Sequence, residues 1–573
     1  MEDRTMKNTL KTILIAVASV SLASSCIQET QPLEGAATAE QLAQSAAGMA
    51  ASVDGLVAQT YQPYYFYGSS NQIEYDISYA GLLITYARLT GDIVNNSATE
   101  GYDWWTGYAG SYGYSMKSNS SRQVIPFMTL YKIIKSTNDI IGPLVALGEL
   151  NADQKAYLGT AYVYRALMYH DLYNLYLPAA NKYTDVSKVE GLTTPIIVSS
   201  AEQETQYKTA RAPKEAMSAF ILSDLDKAEE LLTGYVPSTG RYPGIPVVYG
   251  LKARMYLAME DYANAATYAR MAIDASGKTP LTEAQWHDPA AAFNNAAGNN
   301  SWMWYYNISA NNMGNLCNPT GFLAGEADWG YNSLTQMAIQ AWMYDRMNYT
   351  DFRKRSFIDP DRETYPADYY EWADAAAYFK SYPFEDQPDY KSFKIRCREG
   401  NWTAYEIGGA VDWPMMRVEE MYLIEAEAVG MSQGEAAGVA LLESFMQSYR
   451  DPSYTYTMAA ERFSEGFVKN FQEEVLYQKR VEFWGEGVGF FDAKRIRPGM
   501  KTWYAGSNVI HETLKFDIEE VSPIWNFVIP ENELENNDYI DKEDGVVTEI
   551  DGVKTTLNNP DPTSKVETST VQF

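Results

Sequence analysis

Apolar positions recur with a helical period over long stretches of the chain. Val248, Leu251, Met255 and Met259 stand three, four and four residues apart, and beyond Glu260–Asp261 the stripe resumes at Tyr262, Ala265, Ala266, Ala269 and Ile273. Each set lies on one face of an α-helix. The small alanines let the two helices approach closely, so 251–273 predicts a helical hairpin of the tetratricopeptide kind. Residues 121–147 and 151–176 predict a second hairpin, joined through Gly148 and a capping Asn151. Val418, Met421, Tyr422, Ala426 and Val429 form another stripe, and Val468, Phe471 and Val475 belong to a helix running towards Trp484. Between these regions, 276–411 loses the period and gains Gly, Pro, Asn and aromatic residues. There Trp302, Trp304, Tyr306 and Ile308 alternate, which predicts a strand with one buried face. The expected fold class is mainly α: a tetratricopeptide-like helical-hairpin scaffold with a loop-rich, irregular subdomain inserted between early and late helices. The repeat period is not held along the chain, so the scaffold is degenerate.

The first residues follow a different pattern. Lys7 and Lys11 precede the apolar run Ile13 to Leu22, and Ala23, Ser24 and Ser25 lead into Cys26. The run is shorter than the about 20 residues a membrane-spanning helix needs, so 1–25 predicts a signal peptide. Met6 is an alternative start, because Glu2 and Asp3 precede the basic segment. A Cys directly after small residues resembles a bacterial lipobox, which predicts lipidation at Cys26 and a tether over 26–45; the alternative is a secreted protein with an incidental Cys26. The remaining chain divides into a helical scaffold with ligand loops (46–275), the irregular subdomain (276–411), and late scaffold helices with C-terminal loops (412–573).

Composition narrows the function classes. The 45 Lys and Arg against 74 Asp and Glu give a net charge of −29, which opposes binding to nucleic acid or to anionic lipid through a basic face. The 45 Tyr, 20 Phe and 13 Trp are an aromatic excess weighted to Tyr, a side chain suited to wet contacts with polar ligands. Three Cys and three widely separated His exclude the common zinc signatures, and leave Cys317 with Cys397 as a disulfide that spacing alone does not establish.

Several catalytic motifs fail. Gly277-Lys278-Thr279 lacks a phosphate-binding loop, since its first Gly would fall at Ala272 inside a helix. Gly485, Gly487 and Gly489 follow a helix rather than a strand and are expected to form its C-terminal turn. No GxSxG elbow occurs, and Ile540 occupies the first ligand position of the only calcium-loop-like stretch. Thus no cofactor is expected, and structural calcium has no motif behind it. Carboxylate pairs able to hydrolyse glycosides are available on so acidic a chain, but read first as solvated surface. Glu425 lies on the apolar stripe of the 418–429 helix, where a lone carboxylate is costly, and is expected to pair with Arg480 or Arg495.

The string Pro414-Met415-Met416-Arg417-Val418-Glu419-Glu420-Met421-Tyr422-Leu423-Ile424-Glu425-Ala426-Glu427-Ala428 resembles the signature helix of the SusD/RagB family of outer-membrane lipoproteins of Bacteroidetes. Tyr164-Arg165-Ala166-Leu167, the run Lys479 to Gly487 with Phe491-Asp492, and Phe527-Val528-Ile529-Pro530 with Glu533 match further family segments in order. Gly489, where a basic residue is usual, and Asp538, where Pro is common, depart from the pattern. The resemblance implies four tetratricopeptide-like units packed against a loop-rich subdomain, a non-enzymatic glycan-capture role at the cell surface, and a TonB-dependent SusC-like transporter as partner. It leaves two rivals: a peptide-binding, RagB-like uptake lipoprotein, and an exported helical glycosidase or lyase.

Sugar chemistry selects the site residues. A sugar ring stacks its C–H face on Trp or Tyr and needs amide or carboxylate partners for its hydroxyls. The stretch from Gly91 to Tyr114 has that composition, with Asp92, Asn96, Asp103, Trp104, Trp105 and Tyr108, and so has Asp328-Trp329-Gly330-Tyr331. In the family that the chain resembles, loops from both regions form the glycan site. Trp104, Trp105 and Trp329 are expected to be exposed, and Trp302 and Trp304 to be core.

Overall fold

The computed structural model describes residues 41, 44–61, 79–95, 118–119, 121–181, 186, 189–199, 210–288, 295–311, 318–334, 336–370, 375–510, 515–522 and 525–537. The signal segment, Cys26, Cys317 and the acidic tail lie outside them.

The scaffold is built from helices α1 (Ala46–Gln59), α2 (Tyr79–Leu89), α3 (Ser121–Leu147), α4 (Ala152–Tyr176), α5 (Lys214–Leu232), α6 (Ile245–Ala258), α7 (Tyr262–Ser276), α8 (Val418–Gln433), α9 (Glu435–Tyr449), α10 (Phe471–Glu482) and α11 (Gly489–Ile496). Consecutive helices joined by short turns pack on each other: α3 on α4, α6 on α7, α8 on α9. The fold is mainly α, as the periodicity predicts. Asn151 caps α4 through a reciprocal pair, its Oδ1 accepting from the Gln154 N–H at 3.0 Å while the Gln154 Oε1 accepts from the Asn151 N–H at 3.0 Å. Between α6 and α7 the chain turns through Glu260 at φ 59°, and Asp261 caps α7. Ala265, Ala266, Ala269 and Ala272 are the buried face that α7 presents.

Short antiparallel ribbons tie distant segments together. β1 (Ile93–Asn95) pairs with β3 (Met337–Ile339), and β2 (Trp302–Asn307) pairs with β4 (Asp412–Arg417). In β2, Trp302, Trp304 and Tyr306 are buried while Met303 and Tyr305 are half-buried, so the alternation resolves as expected. Gly485 and Gly487, both at positive φ, turn the chain out of α10.

β4 runs directly into α8, and this signature segment is a structural hub. Glu419 accepts from Arg450, Glu420 pairs with Arg254 of α6, Glu425 with Arg270 of α7, and Glu427 with Arg495 of α11. The expected partners of Glu425 are therefore corrected. Its stripe faces α7, whereas Arg480 on α10 is engaged by Asp92, and Arg495 by Glu427 and Asp492. Gly489 has a role in that arrangement, because a Cβ there would stand 3.0 Å from the Arg480 Cγ.

Behind the hub lies a fully buried ionic cluster. Arg417 donates to Glu482 Oε1 at 3.0 Å and to both Glu486 oxygens at 3.0 Å. Arg450 meets Glu482 at 2.6 and 2.8 Å, Arg353 meets it at 3.2 Å, and the Lys394 Nζ reaches Glu486 at 2.8 Å. Burial alone would push the Glu482 carboxyl up, but the guanidiniums of Arg450, Arg417 and Arg353 outweigh it and hold the group well below the usual carboxylate range.

Candidate functional site

The described start of the first sequence region with platform composition, Ile93–Asn95, is strand β1, and it pairs with β3. Asn95 lies directly opposite Met337. Asn95, the last residue of β1, thus stands beside the first residue of the strand that follows 328–331 in the chain. Asn96, Asp103, Trp104, Trp105 and Tyr108 lie outside the described residues.

Asp92 is not a ligand-facing carboxylate. It is 5% exposed, it accepts from the Arg480 Nε at 2.9 Å, and its carbonyl accepts from the Trp484 Nε1 at 3.0 Å and from the Gln340 N–H at 3.2 Å. It fastens the base of the ribbon to α10. Trp329 is likewise not an exposed platform, being 7% exposed and packed on Ala324, Ala327 and Cys397. The reason is local. Gly330, at φ 71°, passes so close to Gly321 that a Cβ would stand 2.9 Å from its Cα, and Asn332 bonds back to the Gly321 carbonyl at 2.8 Å. The fold-back turns the indole inward. Tyr331 is half-buried, one ring face stacked on Phe322 at 5.1 Å.

Asp328 is exposed, and aromatic residues from elsewhere in the irregular subdomain gather beside it. Its N–H donates to the Trp402 carbonyl at 3.1 Å, and its carboxylate accepts from the Tyr382 hydroxyl. Tyr382 is 38% exposed; its ring stacks on Tyr378 at 5.2 Å and meets the Trp402 edge at 5.6 Å. Tyr405, half-buried, stands edge-on to Trp329 at 6.3 Å. Partial burial pushes the Asp328 carboxyl up, against hydrogen bonds from its own N–H and from Tyr382. Sequence reasoning missed Tyr382, Trp402 and Tyr405. The available signal was composition, since Gly400-Asn401-Trp402 and Tyr405 satisfy the same Gly, Asn and aromatic criterion that selected 91–114.

The cluster offers ring surface with the carboxylates of Asp328, at Tyr382, and Glu406, at Tyr405, along its edge, the means to stack a hydroxylated ring and accept its O–H groups. Among the described residues no group of three His, Cys, Asp or Glu side chains could hold a metal ion. No described helix is long and apolar enough to cross a membrane.

Two family models match the chain. Residues 390–561 match the SusD family model, and 72–257 match a model described as starch-binding and associating with the outer membrane. A SusD-like carbohydrate binding protein from Bacteroides vulgatus superposes with a TM-score of 0.64 at 17% identity, covering 86% of this chain and 96% of that one. A putative sugar binding protein from the same organism gives 0.60 at 19%, covering 86% and 96%. A SusD superfamily protein from Bacteroides thetaiotaomicron gives 0.61 at 17%, covering 86% and 98%. A search of curated protein sequences returns no match. The two matches together cover more than half of the chain, leave out most of the irregular subdomain and take in α4, the α8 hub and the α10–α11 turn, and on them the chain belongs to the SusD/RagB family.

Proposed function

We propose that this chain captures oligo- or polysaccharide at the outer-membrane surface, held there by a lipid on Cys26, and delivers it to a TonB-dependent SusC-like transporter. The observation that carries the reading is the ring cluster of Tyr382, Trp402 and Tyr405 gathered beside the exposed Asp328. Trp104, Trp105 and Tyr108 supply further rings from the stretch Gly91 to Tyr114. The names of the matching family and of its solved relatives support a carbohydrate ligand. The deeply buried carboxylates Glu482 and Glu486 are locked to arginines, which supports structural rather than acid–base work for them.

Two or three stacked rings at about 1 kcal/mol each, with a few hydrogen bonds, give roughly 4 to 7 kcal/mol, an affinity between millimolar and ten micromolar. That suffices beside a tethered transporter, where effective concentration is high. Affinity gel electrophoresis tests the reading. Tyr382→Ala combined with Asp328→Ala should abolish retardation by the cognate polysaccharide while Tm stays within a few degrees, and Trp104→Ala should do the same independently. Reducing-end release by the pure wild type would convert the reading to an enzyme. Cys26→Ala should move the protein out of the carbonate-washed membrane fraction.

A further inference from the structure

A cleft of about 670 Å³ opens in the helical scaffold, lined by helix ends and by none of the residues of the aromatic cluster. It lies where the ends of α4, α6 and α11 meet the first turn of α5. That volume falls in the roughly 300–1,000 Å³ range of small-molecule sites.

Lys494 stands in its wall, 6% exposed. Its ammonium donates to the carbonyls of Asn174 and Leu175, each at 2.8 Å, and no carboxylate pairs with it among the described residues. Burial pushes the amine down to about 7. The end of α4 only partly compensates this group, because a helix terminus carries about half a negative charge and a lysine a whole positive one. Arg495 lines the same cleft with its side chain 7% exposed; Glu427 and Asp492 hold its guanidinium at 2.8 Å each, while its Nε has no hydrogen-bond acceptor among the described residues. Arg497, exposed, completes the basic side.

The mouth is mixed: Glu190, Glu215 and Glu260 are exposed there, offering acceptors for hydroxyl groups, with the exposed Lys214 3.9 Å from Glu215. We propose that this cleft binds a polyhydroxylated monocarboxylate, a sugar acid, with its carboxylate against Lys494, Arg495 and Arg497 and its hydroxyls towards Glu190, Glu215 and Glu260. None of these residues belongs to the aromatic cluster, so this site stands or falls separately from the capture of polysaccharide.

Isothermal titration of the full chain with glucuronate, glucose and sulfate tests it. Glucuronate should bind, with glucose and sulfate at least about tenfold weaker. Lys494→Met should abolish glucuronate binding, and Arg497→Gln, at an exposed position that leaves α4 untouched, should weaken it severalfold without a change in Tm. No heat of binding with glucuronate, equal binding of glucose or of sulfate, or wild-type affinity in Arg497→Gln would each overturn the proposal. The last outcome decides the matter even if Lys494→Met does not fold.

Discussion

A carboxylate without solvent exposure persists as an anion only where cations surround it, and Glu482 is met by Arg353, Arg417 and Arg450. Removing one member of such a cluster leaves buried charge uncompensated, which costs about 3–5 kcal/mol. Glu482→Gln should therefore lower the urea-unfolding free energy by that amount; a loss below about 1 kcal/mol would mean that the cluster contributes little. Acid should act on the same groups. Burial raises the Asp492 carboxyl, but Lys479 and Arg495 outweigh it and bring the group to about 2. A depressed carboxyl contributes stability that is complete above its unfolded value of about 3.9 and is lost as pH falls towards the folded one. Denaturation midpoints should thus fall between pH about 4 and about 2, and Asp492→Asn should flatten that limb. Side-chain environments of this kind were the least legible part of the sequence. The stripe of α8 limits Glu425 to one face, but its partner Arg270 lies on another helix and no local pattern names it. An aromatic between small residues looks alike inside and outside the core, so only the Gly330–Gly321 approach separates Trp329, which is buried, from Tyr382, which is exposed.

Elements were legible where period and punctuation agreed. The alanine face of α7, the Asn151 cap and the alternation in β2 each combine a hydrophobic period with a local hydrogen-bonding or steric rule, so local preference and tertiary packing coincide. The irregular subdomain lacks a period, and its order comes from contacts such as the Asp328–Trp402 backbone bond that join residues far apart in sequence. The crossing of α8 on α9 shows what element packing demands. A Cβ on Gly438 would stand 2.5 Å from the Gly430 Cα and 2.7 Å from the Ala426 carbonyl oxygen, so the helices touch backbone to backbone. Gly438→Ala must push α9 away and should cost about 1–3 kcal/mol by overpacking. Gly55→Ala on α1, where a Cβ meets nothing within 4 Å, should instead be neutral or stabilising by about 0.5–1 kcal/mol, since alanine favours the helix. Thermal melts of the two variants read the contrast, and equal shifts would remove close approach as the explanation.

At the scale of the molecule, early and late segments are interlocked rather than appended. One apolar core runs from Met49 to Ile529. Across it, Arg254 pairs with Glu420, Arg480 with Asp92, Lys494 caps the end of α4, the Trp525 Nε1 reaches the Leu89 carbonyl at 2.7 Å, and Asn526 bonds both backbone groups of Ala179 at 2.9 Å. A fragment of residues 46–275 would leave Arg254 without Glu420, Asp92 without Arg480, and the apolar faces of α6 and α7 in water. Buried charges stripped of partners and an uncovered core act in the same direction. The isolated fragment should therefore show no cooperative thermal transition, whereas the same fragment co-expressed with 276–573 should be recovered as a complex that melts in one step. The whole chain should likewise unfold in a single calorimetric transition despite its length. Cooperative melting of 46–275 alone would make the early helices a self-sufficient domain, and would require the contacts of Asp92 and Leu89 with the late segment to be dispensable for folding.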